Sequence, residues 1–144
     1  MKKITLVALL VSAFALGAFA RGKQPVAFNK LPEVVQKEVK KNFTEDQIQF
    51  ITAKKEGPKR FEYTFLMMDD TKLICDSKVQ LRSIASWEGV QDVFVPEKVL
   101  KYIQTTFPNT IITEYKRENG CQKVTLNDKM LLLFNKKGKF LRID

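Results

Sequence analysis

The chain writes one helix-like segment twice, and this duplication limits its fold more than any other feature. Leu31-Pro32-Glu33-Val34-Val35 runs on to Phe43, and Val95-Pro96-Glu97-Lys98-Val99 runs on to Phe107 at an offset of 64 residues. In both copies a proline follows a branched apolar residue and a glutamate follows the proline. Ile48 and Ile112 then stand at the same distance beyond the two phenylalanines. Val34, Val35, Val39 and Phe43 make one apolar stripe at helical spacing, and Val99, Leu100, Ile103 and Phe107 make the other. Pro32 and Pro96 suit the first helical position, where the missing N–H goes unused. Phe28 and Leu31 sit where they can staple the first helix at its start.

Strand patterns follow each helix. In the first copy Gln47 to Ala53 is rich in β-formers, Glu56-Gly57-Pro58-Lys59 reads as a turn, and Phe61, Tyr63, Phe65 and Met67 alternate with their neighbours. Asp69-Asp70 and Asp76-Ser77-Lys78 are turns on either side of Lys72 to Cys75, and Val79 to Ile84 is a fourth strand. The second copy repeats this plan over Thr110 to Lys116, Gln122 to Leu126, Met130 to Phe134 and Lys139 to Ile143. Asn119-Gly120 is its hairpin turn. Between Ile84 and Ile143 the offset is 59, so the second copy is five residues shorter, a loss that fits its first hairpin. The expected fold is α+β: tandem helix-plus-four-strand repeats forming one antiparallel sheet of about eight strands with both helices on one face. Repeat 1 spans residues 28–85, a connector 86–94 and repeat 2 95–144.

Residues 1–20 stand apart from this plan. A cationic Met1-Lys2-Lys3, an apolar run from Ile4 to Leu16 and Ala18-Phe19-Ala20 form a secretory leader with cleavage after Ala20. The run is shorter than the ~20 apolar residues a membrane span requires. Residues 21–27 then read as a flexible lead-in. Export makes the expected location periplasmic or secreted, with no membrane span in the mature chain. Removing Lys2 and Lys3 leaves 23 basic residues against 16 acidic ones, a charge near +7. The lysines are scattered along the faces of the elements rather than clustered, so this charge does not point to nucleic acid.

The order of these parts resembles a known family. A leader precedes helix-four-strands twice. Asp-Asp or Asn-Asp turns precede short apolar strands, and Asn135-Lys136-Lys137-Gly138 precedes a last strand ending Ile143-Asp144. The pattern resembles the PepSY-like, beta-lactamase-inhibitor-like proteins exported by Bacteroidota, over residues 28–144. The resemblance implies two repeats sharing one antiparallel sheet with helices on one face. It names no target and maps no inhibitory residue. The first copy departs from the pattern at two positions, with Cys75 where the second has the aromatic Phe134 and Val79 where the second has Gly138.

Reactive chemistry is sparse. The chain has no histidine, which removes the commonest general base and metal ligand together. Its two cysteines, Cys75 and Cys121, have no metal-ligand spacing. Cys75 reads as a small buried hydrophobe, and a disulfide is the alternative. Asp69, Asp70, Asp76 and Asp128 fall at turns, where aspartate bonds its own backbone. Asn42-Phe43-Thr44 matches a glycosylation acceptor but falls at a helix end. These features argue against an enzyme and point to no cofactor.

Strand parity points to one surface. With Phe61, Tyr63, Phe65 and Met67 facing the helices, Leu66 and Met68 face away, as do Ile74, Leu131 and Leu133. A solvated sheet face is usually polar, so these five residues are the expected binding face, as one exposed patch. The expected function is a non-catalytic cell-envelope module engaging a protein or peptide there. The alternative is a carrier of a small apolar ligand.

Overall fold

The computed structural model describes residues 22–144, so the leader assigned to 1–20 lies outside the described residues. Among the described residues the sheet is a single antiparallel meander of nine strands in chain order. Strand β1 is Lys23–Pro25 and helix α1 is Glu33–Lys40, followed by β2 (Ile48–Gly57), β3 (Arg60–Met67), β4 (Lys72–Asp76) and β5 (Leu81–Ala85). Helix α2 (Glu97–Thr106) then precedes β6 (Ile112–Glu118), β7 (Cys121–Leu126), β8 (Leu131–Phe134) and β9 (Phe140–Ile143).

The flexible lead-in expected over 21–27 is corrected by β1. Lys23, Gln24 and Pro25 pair with Lys54, Ala53 and Thr52, and Val26 N–H donates to the Ile51 carbonyl at 3.0 Å. A long β2 left as an edge would expose a row of unpaired backbone groups. The lead-in covers that edge, and its proline sits on an outermost strand, where a missing N–H is tolerated.

Both helices begin one residue later than expected, at Glu33 and Glu97, with the prolines as caps rather than as first helical residues. Pro32 and Pro96 take extended conformations as caps, and each carbonyl closes the first turn: Pro32 O accepts from Gln36 N at 3.1 Å and Pro96 O from Leu100 N at 2.9 Å. Glu33 and Glu97 occupy the first turns, where a carboxylate complements the positive end of the helix. Val35 and Val99, equivalent in the two copies, are both 0% exposed. Burying one such valine stabilises by roughly 1.5–3 kcal/mol.

One register row carries the core beneath the helices. Ile51, Phe65, Leu73, Ile84, Tyr115, Val124 and Leu132 are cross-strand neighbours from β2 to β8, and all are buried with Val35, Val39, Val99 and Ile103 in one cluster. The copies join at Ile84–Tyr115, so the two units share this core. Phe43 stacks on Phe94 of the connector, with ring centroids 5.8 Å apart.

The copies superpose in register, irregularities included. Ile48 pairs with Met67 and Phe50 with Leu66 around one bulge; Ile112 pairs with Leu126 and Glu114 with Thr125 around its twin. The helix offset of 64 holds to the pairs Lys54–Glu62 and Glu118–Cys121, beyond which the offset is 59. The five-residue difference therefore lies in the first hairpin, where residues 55–61 stand against Asn119-Gly120. Asn119 (φ 51°) and Gly120 (φ 75°) are both left-handed, as a two-residue hairpin of this twist requires.

Candidate functional site

The open face is set by the row one step along the pleat. From β2 to β9 it reads Thr52, Thr64, Ile74, Ser83, Lys116, Lys123, Leu133 and Arg142. The neighbouring row reads Phe50, Leu66, Lys72, Ala85, Glu114, Thr125 and Leu131. Leu66, Ile74 and Leu131 are half-buried on this face. Met68 lies just past the end of β3 and is 66% exposed.

Two points differ from the expected single patch. Leu133 is only 4% exposed, between Lys123 and Arg142 in register, so it is not open to solvent. The apolar residues also fall into two groups. Ile74 on β4 and Leu133 on β8 lie four strand spacings apart, about 19 Å, with Ser83, Lys116 and Lys123 between them. The copies have diverged on this face, since Phe50 and Leu66 match Glu114 and Thr125 in the second unit. Parity counting missed Phe50 because the bulge after Ile48 reverses the alternation.

Charge borders the first group. Arg82 is the extra residue of a bulge between β4 and β5. Its guanidinium grips Glu56 through two bonds of 2.8 Å and reaches Glu62 at 2.6 Å. The hydrogen bond from Arg82 holds the Glu56 carboxyl below the usual carboxylate range. A carboxylate lowered in the folded state contributes stability that is full at neutral pH and fades as pH falls through its lowered value. The stability gap between the parent and Arg82→Gln, read from urea midpoints, is therefore expected to be widest near neutral pH and to shrink as pH falls through and below the ordinary carboxylate range. A gap that stays constant with pH would rule out the ion pair as its source.

The turn aspartates act locally. Asp69 Oδ1 accepts from Thr71 N at 3.0 Å and Asp128 Oδ1 from Met130 N at 3.1 Å. Asp76 Oδ1 accepts from Lys78 N and Gln80 N, both at 2.9 Å, and Asn135 Oδ1 does the same for Lys137 and Lys139. Asp70 (φ 67°) and Lys129 (φ 69°) hold equivalent left-handed turn positions. Among the described residues no three carboxylate or thiol groups converge on a common point. Cys75 and Cys121 are both free thiols, and burial, with Asp76 nearby, pushes the Cys75 thiol up to about 12. A thiol so held is neutral at physiological pH and a poor nucleophile.

On the opposite, helix-bearing face the two copies meet in a cleft of about 470 Å³. Its floor includes Leu73, Cys75 and Leu81, its wall Phe43 and Phe94, and Arg117 stands at its edge. Sequence reading did not find this cleft. The departures it did register, Cys75 in place of an aromatic and Val79 in place of a turn glycine, are part of the signal.

Comparison with known proteins agrees with this geometry. A family model described as "Putative beta-lactamase-inhibitor-like, PepSY-like" matches residues 20–83 and again 86–142, one match for each copy. The chain belongs to this family. No curated protein matches it. Among solved structures, a "putative calcium-regulated periplasmic protein" of Bacteroides thetaiotaomicron is similar at TM-score 0.77 and 19% identity, covering 87% of this chain and 98% of the other. A "putative periplasmic protein" of the DUF2874 family from Bacteroides vulgatus is similar at TM-score 0.75 and 21% identity, covering 87% and 98%. A second Bacteroides vulgatus periplasmic protein reaches 0.75 at 22% identity, covering 85% and 99%. These likenesses establish the shared PepSY-like fold.

Proposed function

We propose that this PepSY-like protein is a non-catalytic binding module of the cell envelope, engaging a protein or peptide on its open sheet face. The observation that carries this reading is the group Leu66, Ile74 and the exposed Met68, separated from Leu131 and Leu133 by the polar Ser83, Lys116 and Lys123. Leu131 forms the second foothold across the sheet, and Arg82 with its two glutamates borders the first. The leader pattern of residues 1–20 and the periplasmic descriptions of the solved neighbours support an envelope location. The calcium regulation ascribed to the Bacteroides thetaiotaomicron protein has no matching carboxylate cluster among the residues described for this chain.

The test is the double substitution Leu66→Thr with Leu131→Thr, which keeps a β-branched strand former and removes apolar surface. The variant is expected to melt close to the parent and to lose the partner that the parent recovers from envelope extract. Unfolding of the variant would make these leucines core residues, and retention of the partner would move binding elsewhere. The alternative, a carrier of a small apolar ligand, draws support from the helix-side cleft. A small molecule found by mass spectrometry on the purified protein favours it.

A further inference from the structure

The duplication provides an internal standard for packing. In the second copy Tyr102 of α2 stacks on Phe140 of β9, with centroids 4.7 Å apart. Phe134 meets Tyr102 edge-on at 5.6 Å and Phe140 at 5.7 Å, so three rings fill the space between helix and sheet. The register shows what the first copy has instead. Cys75 pairs with Leu81 as Phe134 pairs with Phe140, beside the same bulge, and the helix offset equates Glu38 with Tyr102. A thiol, an aliphatic side chain and a carboxylate thus stand where the second copy has three aromatic rings. The space they leave is the cleft of about 470 Å³.

Interiors pack densely, and a gap forfeits dispersion contacts along its lining. The second copy proves that this fold can fill the space, so the opening in the first is a property of its sequence. The wall carries a second departure. Val79 is held at φ 64°, a conformation costly for a β-branched side chain, at the position where the second copy has Gly138 at φ 88°. A Cβ added at Gly138 would lie 3.4 Å from the stem of Lys98, whereas Val79 borders the cleft.

Charge at the edge selects the ligand. The exposed Arg117 is oriented by its Nε, which donates to Tyr115 Oη at 3.0 Å, and by its guanidinium, which lies 5.8 Å from the Tyr115 ring centre. Among the described residues it has no carboxylate partner. Lys41, also at the edge, is paired with Glu38 at 2.7 Å, so those two charges offset each other. The remaining charge is one positioned guanidinium, whose planar fork matches a carboxylate or sulfonate.

We propose that this cleft is a binding site for a small amphipathic anion, its aromatic or aliphatic body lying on Leu73, Cys75 and Leu81 and its acidic head against Arg117. The volume is within the range of small-molecule sites. The site lies on the face opposite the proposed peptide surface, so either can fail without the other.

The test uses 8-anilinonaphthalene-1-sulfonate as the anionic probe and N-phenyl-1-naphthylamine as its uncharged counterpart, titrated by fluorescence into the purified mature protein. The parent is expected to bind one equivalent of the anion saturably while retaining a cooperative melt. Cys75→Phe, which restores the second copy's residue, is expected to abolish binding, and Leu81→Phe serves as an independent filling variant should Cys75→Phe disturb folding. Arg117→Gln is expected to weaken the anion roughly ten- to a hundredfold, the scale of a lost hydrogen bond to a charged group, and to leave the uncharged probe within about threefold of its affinity for the parent. Absence of saturable binding to the parent overturns the proposal. So does parent-like affinity in a folded filling variant, or an Arg117→Gln variant that loses both probes equally.

Discussion

Phe134→Ala is expected to cost about 3–5 kcal/mol, and Cys75→Ala, at the equivalent position of the other copy, about 1 kcal/mol or less. Phe134 is 0% exposed and packs edge-on against both Tyr102 and Phe140. Its truncation removes a ring and leaves a cavity between two others that cannot close around it, so the transfer and cavity penalties add. Cys75 is also buried, at 5% exposed, but it already borders an open cleft. Its sulfur contributes the contacts of one small atom, and its loss enlarges a space that exists in the parent. Single domains are stable by about 5–15 kcal/mol, so Phe134→Ala removes a large fraction of that margin. Urea denaturation of the two variants under identical conditions measures the contrast. Equal costs would mean that the cleft is packed as tightly as its counterpart and that the copies have not diverged in this way.

The repeat made most of this fold legible. Pro32 and Pro96 marked both helix starts, and the alternation of Phe61, Tyr63, Phe65 and Met67 correctly separated the helix-facing side chains from Leu66 and Ile74. What escaped depends on backbone geometry or on pairing between distant segments. A bulge shifts parity by one residue, and nothing in Ile48-Gln49-Phe50 announces one, so Phe50 was not placed on the open face. Strand β1 is too short to show a period, and its role appears only when β2 offers an edge. The division of the open-face residues into two groups follows from strand order, which places β5, β6 and β7 between them. The cleft required three substitutions, at Glu38, Cys75 and Leu81, to be seen together, and only register aligns all three with the rings of the second copy.

Gln122→Leu is expected to cost about 2–4 kcal/mol, a large effect for a substitution that keeps the side chain's approximate volume. Gln122 is 7% exposed and sits on the helix-facing row beside Phe134. Its Oε1 accepts from Tyr115 Oη at 2.5 Å, and its Nε2 donates to the carbonyls of Asn135 at 3.1 Å and Lys136 at 3.3 Å. Leucine satisfies none of these groups. The hydroxyl proton of Tyr115, a residue 0% exposed, is left without its acceptor while the oxygen still accepts from Arg117 Nε, and a buried donor left unsatisfied costs more than the bond itself contributed. The first copy has Ile51 and Tyr63 at these positions, so the polar pair belongs to the second copy alone. Tyr115→Phe combined with Gln122→Leu is expected to be less damaging than the sum of the single changes, because it removes the unsatisfied donor together with its acceptor. Urea denaturation across this double-mutant cycle gives the coupling. Additive costs would show that the hydrogen bond contributes little and that the loss in Gln122→Leu comes from the turn carbonyls. The same hydroxyl receives Arg117 Nε, so Tyr115→Phe also frees the guanidinium at the edge of the cleft. Binding of the anionic probe is then expected to weaken by a smaller factor than in Arg117→Gln, since the charge remains and only its positioning is lost.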